Sequence, residues 1–389
     1  MLPVSIVIPC RNSETYLDEA LGSVFAQSFQ DFEVICVDNE STDRTREILD
    51  KWASKHSNLK VLSHVGLAPR NAGVDAATGE WLYVFDSDDI MMPDLLEKAY
   101  KRALESDADI VVFRVCELNN LTGEIVPADY AFETSWLPDG VISFNPEDYP
   151  GHILTSFQNW AWNKLFKTSF VRERNIRFQE VHRTADLLFT CQALTEAQTI
   201  ALLPEYLHCY RVNNLASALQ TSDRYPTDFI LAFDALKTVL VENGTWEVYR
   251  DSFVNWAMDG ITINLYLTRT IESFTSIVDM LKDGYLDRLG IIDYPMDKAY
   301  DQRKWEDCHI VANGSLPEII FHYLQLEKRS ALEARISASN ARIELSDLQA
   351  RFDLLQKRFD FTAFGRLMHN DAIRRYGHFV RDKLDSVRH

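Results

Sequence analysis

The sequence predicts an α/β protein: a Rossmann-like, mainly parallel sheet in residues 1–219, then an α-helical region ending in a long helix with a coiled-coil pattern. Three observations carry this expectation. Short apolar runs alternate with amphipathic segments from Val4 to Phe113, the pattern of strand, crossover helix and next strand. Two of these runs end in acidic clusters, at Asp38–Asp43 and Asp86–Asp89, and open α/β sheets bind ligands at the carboxyl ends of their strands. From Leu324 onward, apolar residues recur every seven positions in a stretch free of proline and glycine, as in a coiled coil.

Val4 to Pro9 reads as a buried strand stopped by proline, and Glu14 to Gln27 carries Leu17, Leu21, Val24 and Phe25 at helical spacing. Phe32 to Val37 is the second strand, after which Ser41 or Thr42 caps a helix running to about Lys55. Leu59 to His64, Trp81 to Phe85 and Ile110 to Phe113 supply three more strands, separated by helices at Arg70 to Ala77 and Leu95 to Glu105. Right-handed crossovers would join the parallel strands. Residues 220–322 read as an α-helical domain, with helices at Thr227 to Asn243, Trp246 to Leu267 and Ile271 to Asp283. Their aromatic residues fit either a core or an acceptor surface.

Residues 323–363 form the long helix. Leu324, Ala331, Ala338, Leu345, Phe352 and Phe359 mark one seam position and Ala334, Ala341, Leu348 and Leu355 the other, whereas Ile336 and Ile343 fall off it. Pairing with a second copy and folding back on the chain are both open. Residues 364–389 mix Leu367, Ile373, Tyr376, Phe379 and Leu384 with basic residues. This tail fits peripheral contact with an anionic membrane or docking to a partner.

Asp86, Asp88 and Asp89 directly follow the fourth strand. Mn²⁺ and Mg²⁺ are often held by one or two carboxylates together with substrate phosphates, so the cluster suits a nucleotide diphosphate bridged through a metal. The alternative is a solvated turn, with Asp89 or Asp94 serving the helix near Pro93.

Five pieces of sequence extend that reading: Val-Ser-Ile-Val-Ile-Pro-Cys-Arg-Asn at Val4–Asn12, Val-Asp-Asn-Glu-Ser-Thr-Asp at Val37–Asp43, Arg-Asn-Ala-Gly at Arg70–Gly73, Ala-Thr-Gly-Glu at Ala77–Glu80 and Asp-Ser-Asp-Asp at Asp86–Asp89. In this order and spacing they resemble the family 2 glycosyltransferases, GT-A fold enzymes that move a sugar from a nucleotide diphosphate donor. The resemblance spans roughly residues 3–215 and implies a metal-dependent transferase using a UDP-sugar and a cell-surface glycan or lipid-linked acceptor. It implies that Pro9 and Asp38 line the uridine pocket, that Arg70 lies near the donor, and that Asp86 and Asp88 meet ribose and a Mn²⁺ or Mg²⁺ ion. Ala161–Phe166 and Phe170–Phe178 are similar to the acceptor-side segment of bacterial members. Asp186 falls on the catalytic base of inverting members, and Tyr210–Asn213 with Ser217 on a segment closing over the donor, which makes Arg211 a donor-side residue. Arg11 stands where the family often has tyrosine, and Ala185 where it often has a second acid.

Elementary chemistry leaves each role beside an alternative. Asp38 can accept from the ring N–H of uracil or make an Asx-turn. Arg70 offers a planar fork to phosphate or to a carboxylate of the site. Arg11 fits donor phosphates or a plain loop. Asp186 can take the proton of an attacking hydroxyl or complement a helix N-terminus. His182 and His208 are either additional metal ligands or structural residues.

The formal charge of −18 over 389 residues disfavours a free nucleic-acid partner. Residues 351–389 hold 9 Lys and Arg against 5 Asp and Glu, a net of +4, so the first 350 carry −22. Cys10, Cys36, Cys116, Cys191, Cys209 and Cys308 lack paired spacing, which points to reduced thiols. With no signal-like leader and no apolar run of about 18 residues, the expected location is cytoplasmic, with the tail able to reach the inner membrane face. No Gly-x-Gly-x-x-Gly or Walker pattern follows the first strand, which disfavours dinucleotide oxidoreductases and P-loop enzymes. Two other readings stand beside the transferase: a nucleotidyltransferase making the activated sugar, whose usual glycine-rich loop is missing here, and a non-catalytic sugar-nucleotide-binding scaffold.

Overall fold

The computed structural model describes residues 2–214 and 223–360. One compact unit covers Met1–Gly314 and a second begins at Ser315. The expected boundary at 219/220 and the tail 364–389 lie outside the described residues.

The first unit opens with β1 (Val4–Cys10), α1 (Leu17–Phe25), β2 (Phe32–Asn39), α2 (Thr45–Ala53), β3 (Leu59–His64), α3 (Pro69–Ala76) and β4 (Trp81–Val84). It continues through β5 (Ile90–Met91), α4 (Leu95–Ser106), β6 (Ile110–Asn119), β7 (Ile125–Pro127) and β8 (Ser143–Phe144). Next come α5 (Ile153–Ser156), β9 (Lys164–Lys167), α6 (Thr168–Glu173), α7 (Ala185–Glu196) and β10 (Ile200–Val212). Helices α8 (Asp228–Glu242), α9 (Trp246–Leu267), α10 (Ile271–Met280), α11 (Leu286–Arg288) and α12 (Gln302–Asn313) complete it.

The sheet order is β3-β2-β1-β4-β9-β6-β10-β5, with β7 on β6 and β8 on β10. Its long ladders are parallel: β1 with β2 and β4, β2 with β3, and β6 with β10. The sheet is nevertheless mixed, because β9 enters between β4 and β6 antiparallel to both. No periodicity marks this strand in the sequence. A four-residue segment buried on both faces has no alternation to display.

Period-two geometry divides β1 between two layers. Val4, Ile6 and Ile8 join the core made with Leu17, Leu21 and Val24 of α1, Leu49 of α2, and Leu95 and Ala99 of α4. Ser5 and Val7 face the other layer. There a Cβ on Gly73 of α3 would lie 2.2 Å from Val7 Cγ1, so only glycine lets this helix approach the strand. Ser5 Oγ donates to buried Glu33 (2.7 Å), which also accepts from Thr78 N–H and Oγ–H (2.6 Å each) and from Lys60 Nζ (2.8 Å). This network fastens the Ala-Thr-Gly-Glu turn to the sheet, and a Cβ on Gly79 would meet Ser5 N at 2.6 Å.

Among the aromatic residues of α8 and α9, Phe229, Phe233, Tyr249, Phe253 and Trp256 are buried, with Phe233 and Trp256 ring centroids 4.4 Å apart, whereas Tyr266 is exposed. In the second unit, α13 (Leu316–Asp360) is one continuous 45-residue helix. Among its described residues Leu324, Leu332, Ile336 and Leu348 are exposed, so the unbroken helix is seen and its pairing is a separate question.

Candidate active site

Loops from β1, β2 and β4 meet at the carboxyl ends of these strands. Asn12 and Glu40 adopt left-handed backbone (φ 51° and 55°), which turns each loop sharply. The loops are stitched together by Asn12 N–H to Ser41 Oγ (3.1 Å), Thr42 N–H to Asn12 Oδ1 (2.8 Å) and Ser13 N–H to Thr45 Oγ1 (2.7 Å). Ser13 Oγ lies 2.7 Å from Ser87 Oγ, tying them to the acidic segment.

Pro9 and Cys10 of β1 lie opposite Val37 and Asp38 of β2. Asp38 is buried, and its Oδ1 accepts the Ser41 N–H at 3.3 Å, the turn contact that its sequence position suggested. Arg11 is exposed.

The acidic segment is held from beneath. Buried Asp89 accepts from the Arg211 backbone N–H (2.8 Å) and pairs with His208 Nε2 (2.9 Å), while His208 Nδ1 meets the Tyr83 hydroxyl at 2.8 Å. Burial drives His208 down to about 3, against the opposing pull of Asp86 and Asp88. Both of its ring nitrogens are engaged within the fold, by Asp89 and by the Tyr83 hydroxyl. The Arg211 guanidinium donates to the Asp88 carbonyl (2.7 Å), Glu19 Oε2 (2.6 Å) and Asn120 Oδ1 (3.2 Å), and stacks on Tyr16 at 4.5 Å. These contacts tie the guanidinium to the acidic loop and to α1.

Arg70 of α3 donates to Asp86 Oδ1 at 2.6 Å, and both side chains remain about a quarter exposed, at 26% and 25%. Burial would lower the guanidinium, but Asp86 and Asp186 hold it above its ordinary value. The next residue, Asn71, exchanges two hydrogen bonds with the Phe178 backbone (2.8 and 2.9 Å). This clasp ties α3 to the segment leading into α7. Asp228 accepts the His182 and Arg183 N–H groups, both at 2.9 Å, and Thr184 turns left-handed (φ 59°) immediately before the helix. Asp186 therefore sits in the first turn of α7.

Burial pushes the Asp186 carboxyl up to about 6, with Arg70 pulling it down and Asp86 pushing it up. Burial followed by the charges of Asp89 and Asp86 raises Asp88 to about 7, offset in part by Asn214 Nδ2, which donates to Asp88 Oδ2 at 2.8 Å. Asp86, Asp88, Arg70 and Asp186 thus share one electrostatic neighbourhood, with Pro9 and Asp38 on the adjoining strand ends. Sequence reasoning missed Glu19, Asn120 and Asn214 as supports, because they lie on elements far apart in the chain and belong to no local pattern.

No group of three or more His, Cys, Asp or Glu side chains among the described residues forms a ready metal cage. An oxygen-preferring dication needs less, one or two carboxylates with substrate phosphate completing its shell. Asp86 and Asp88 are the carboxylates that could supply that donor set, and the charge crowding around Asp88 is what a dication would relieve. The residues fit Mn²⁺ or Mg²⁺.

A mixed α/β sheet with acids and arginines gathered at its strand ends has its polar groups where open α/β sheets bind ligands. Residues 5–170 match the family model described as Glycosyl transferase family 2. It is 29% identical over 248 residues to the poly(ribitol-phosphate) beta-glucosyltransferase of Bacillus spizizenii, a match covering 60% of this chain and 36% of that relative. It is 26% identical over 324 residues to the cholesterol galactosyltransferase of Borreliella burgdorferi, covering 80% of this chain and 87% of the relative. Among solved structures, S. aureus TarS 1-349 in complex with UDP-GlcNAc superposes with a TM-score of 0.63 at 21% identity, over 85% of this chain and 92% of that one. That likeness concerns the fold, which is GT-A-like. The chain spans about a third of the length of the first of these relatives. Among the described residues, no helix is long and apolar enough to cross a membrane.

Proposed function

We propose that this chain transfers a sugar from a UDP-sugar to a hydroxyl of a cell-surface glycan or lipid-linked acceptor, with inversion. The observation that carries the reading is the position of Asp186, poised near 6 within electrostatic reach of the Arg70–Asp86 ion pair at the end of β4. The names of relatives acting on poly(ribitol phosphate) and cholesterol, and a structural neighbour bound to UDP-GlcNAc, support the donor and acceptor classes.

In this mechanism Pro9 and Asp38 receive the uridine, with Asp38 accepting from its ring N–H, and Asp86 and Asp88 would hold a Mn²⁺ or Mg²⁺ ion. That ion would supply positive charge against the diphosphate. Arg70 lies beside the same phosphates, and Arg211 holds the acidic loop in register. Asp186 accepts the acceptor hydroxyl proton as its oxygen bonds to the anomeric carbon, while the bond from that carbon to the diphosphate oxygen breaks and UDP departs. A carboxylate with a value near 6 is largely ionised at neutral pH and remains basic enough to take the proton.

Calorimetric titration with UDP in Mn²⁺, in Mg²⁺ and in EDTA tests the donor site. Binding that requires metal and is lost in Asp88→Asn is expected. Equal UDP affinity in EDTA and in the variant would remove Asp88 from the metal site.

A further inference from the structure

Beside the acids lies a stack of aromatic rings that the donor side of the site does not use. His208, beneath Asp89, stacks on Trp162 with centroids 4.3 Å apart. Trp162 stacks on Trp160 at 4.5 Å and on Tyr210 at 5.0 Å, and Tyr130 meets Trp160 edge-on at 6.2 Å. Exposure rises along the series: His208 and Trp162 are buried, Trp160 and Tyr210 partly buried, and Tyr130 is 57% exposed. Trp160 and Tyr210 pack on a small core of Val115, Ala128, Ala131 and Trp162, and the ring series continues from that core to exposed Tyr130.

The ledge is also built rigidly. Lys164 is wholly buried, and its Nζ donates to the carbonyls of Gln158 (2.7 Å) and Trp160 (2.9 Å) and to Asn163 Oδ1 (2.6 Å). The Lys164 amino group therefore fixes the backbone carrying Trp160, while burial pulls its value down to about 7.

Position identifies the occupant. The sheet order puts the nucleotide-side strands β1, β2 and β3 on one side of β4 and the ledge elements β9, β6 and β10 on the other, with the acids between. Tyr210 lies in the field of Asp86, Asp88, Asp89 and Asp186. Charge then selects among acceptors. The Tyr130 hydroxyl donates to Glu117 (2.6 Å), Asp129 accepts from Tyr206, and the nearby cation Arg114 is itself paired to Asp129 (3.8 Å) and stacked over Phe132 and Tyr206. With Lys164 spent on its carbonyls, a phosphodiester polymer would approach carboxylates with little compensating positive charge. A pyranose has a face of C–H groups that suits the negative face of an aromatic ring, and carries no charge to repel.

We propose that the Trp160–Tyr210–Tyr130 ledge is the acceptor subsite and that it takes a neutral pyranose ring rather than a polyol-phosphate chain. The proposal rests on the transferase reading for the word acceptor. The stack and its charge environment stand apart from that reading.

The test is saturation-transfer NMR on the full chain with neutral octyl β-glucoside, β-galactoside and β-N-acetylglucosaminide, using poly(ribitol phosphate) as competitor, for wild type, Trp160→Ala and Trp160→Phe. Saturation of ring C–H protons in at least one glycoside is expected, about tenfold weaker binding in Trp160→Ala, recovery in Trp160→Phe, and no displacement by the polymer. UDP affinity, measured on the same samples, should be equal in all three proteins. No binding of any glycoside, equal binding by Trp160→Ala, or displacement by poly(ribitol phosphate) would overturn the proposal. Glycoside binding that behaves as expected in a chain that does not bind UDP would overturn the donor reading and leave the ledge standing.

Discussion

Asp186 concentrates the residue-scale account, because its carboxyl is raised to about 6 by burial while Arg70 opposes that rise. A proton-accepting carboxylate works only when ionised, so kcat/KM should climb as pH rises through about 6 and level off above it. A profile flat from pH 5 to 8 would remove Asp186 as base. The Asp186→Asn variant should keep UDP affinity and lose turnover by at least about a hundredfold; titration beside a steady-state assay separates the two. The acids themselves were legible in sequence because Asp86, Asp88 and Asp89 are consecutive enough to form a motif. What holds them was not: Asp89 meets His208 and Arg211 across more than a hundred residues, and no local spacing encodes such a pair. For Arg70 and Asp38 the sequence left two roles each, and the structure displays the ion pair and the turn contact.

Elements show the same division between local and distant information. Strands β1 to β4 and helices α1 to α4 were readable because each is one run of apolar residues at a regular period, and the predicted ranges differ from the observed ones by a few residues at most. Strand β1 runs through Pro9 to Cys10, and α2 starts at Thr45 without a side-chain cap from Ser41 or Thr42. Strands β5 and β7 to β10 were not. The first four of these are two to four residues long, and β10 is interrupted by register shifts near Tyr206, so none offers a clean alternation. The Ala-Thr-Gly-Glu turn is where an element-scale prediction is sharpest. Gly79→Ala brings a Cβ to 2.6 Å from Ser5 N, and denaturant unfolding should record a loss of about 1–3 kcal/mol. Glu33 anchors the same turn. Burial alone would raise its carboxyl, but hydrogen bonds from Lys60, Thr78 and Ser5 outweigh it and hold it at about 2. A depressed folded value means stability that is present above the ordinary carboxylate range and lost as pH falls through about 2, on the order of 3 kcal/mol in all. Glu33→Gln should flatten that part of the acid unfolding profile, and an unchanged profile would contradict the assignment.

Over the whole molecule, the acidic balance of the first 350 residues and the basic end of the chain were read from composition alone. The mixed sheet was not, since inserting β9 between β4 and β6 depends on a return path through residues 120–163 that leaves no periodic trace. The unbroken run of α13 after Pro317 was legible from its lack of further proline or glycine, and its exposed Leu324 and Leu348 occupy expected seam positions. If the seam pairs with a second copy, sedimentation should find wild type as an oligomer and the Leu324→Glu, Leu348→Glu double variant as a monomer; a monomeric wild type would leave the helix without that role. Transfer chemistry is the claim on which the other roles depend. Its most direct test is UDP release from a panel of UDP-sugars with Mn²⁺, Mg²⁺ or EDTA, comparing wild type with Asp88→Asn. Metal-dependent release from one UDP-sugar by wild type, absent in the variant, is the predicted result. No release and no binding of any UDP-sugar by wild type would contradict the account.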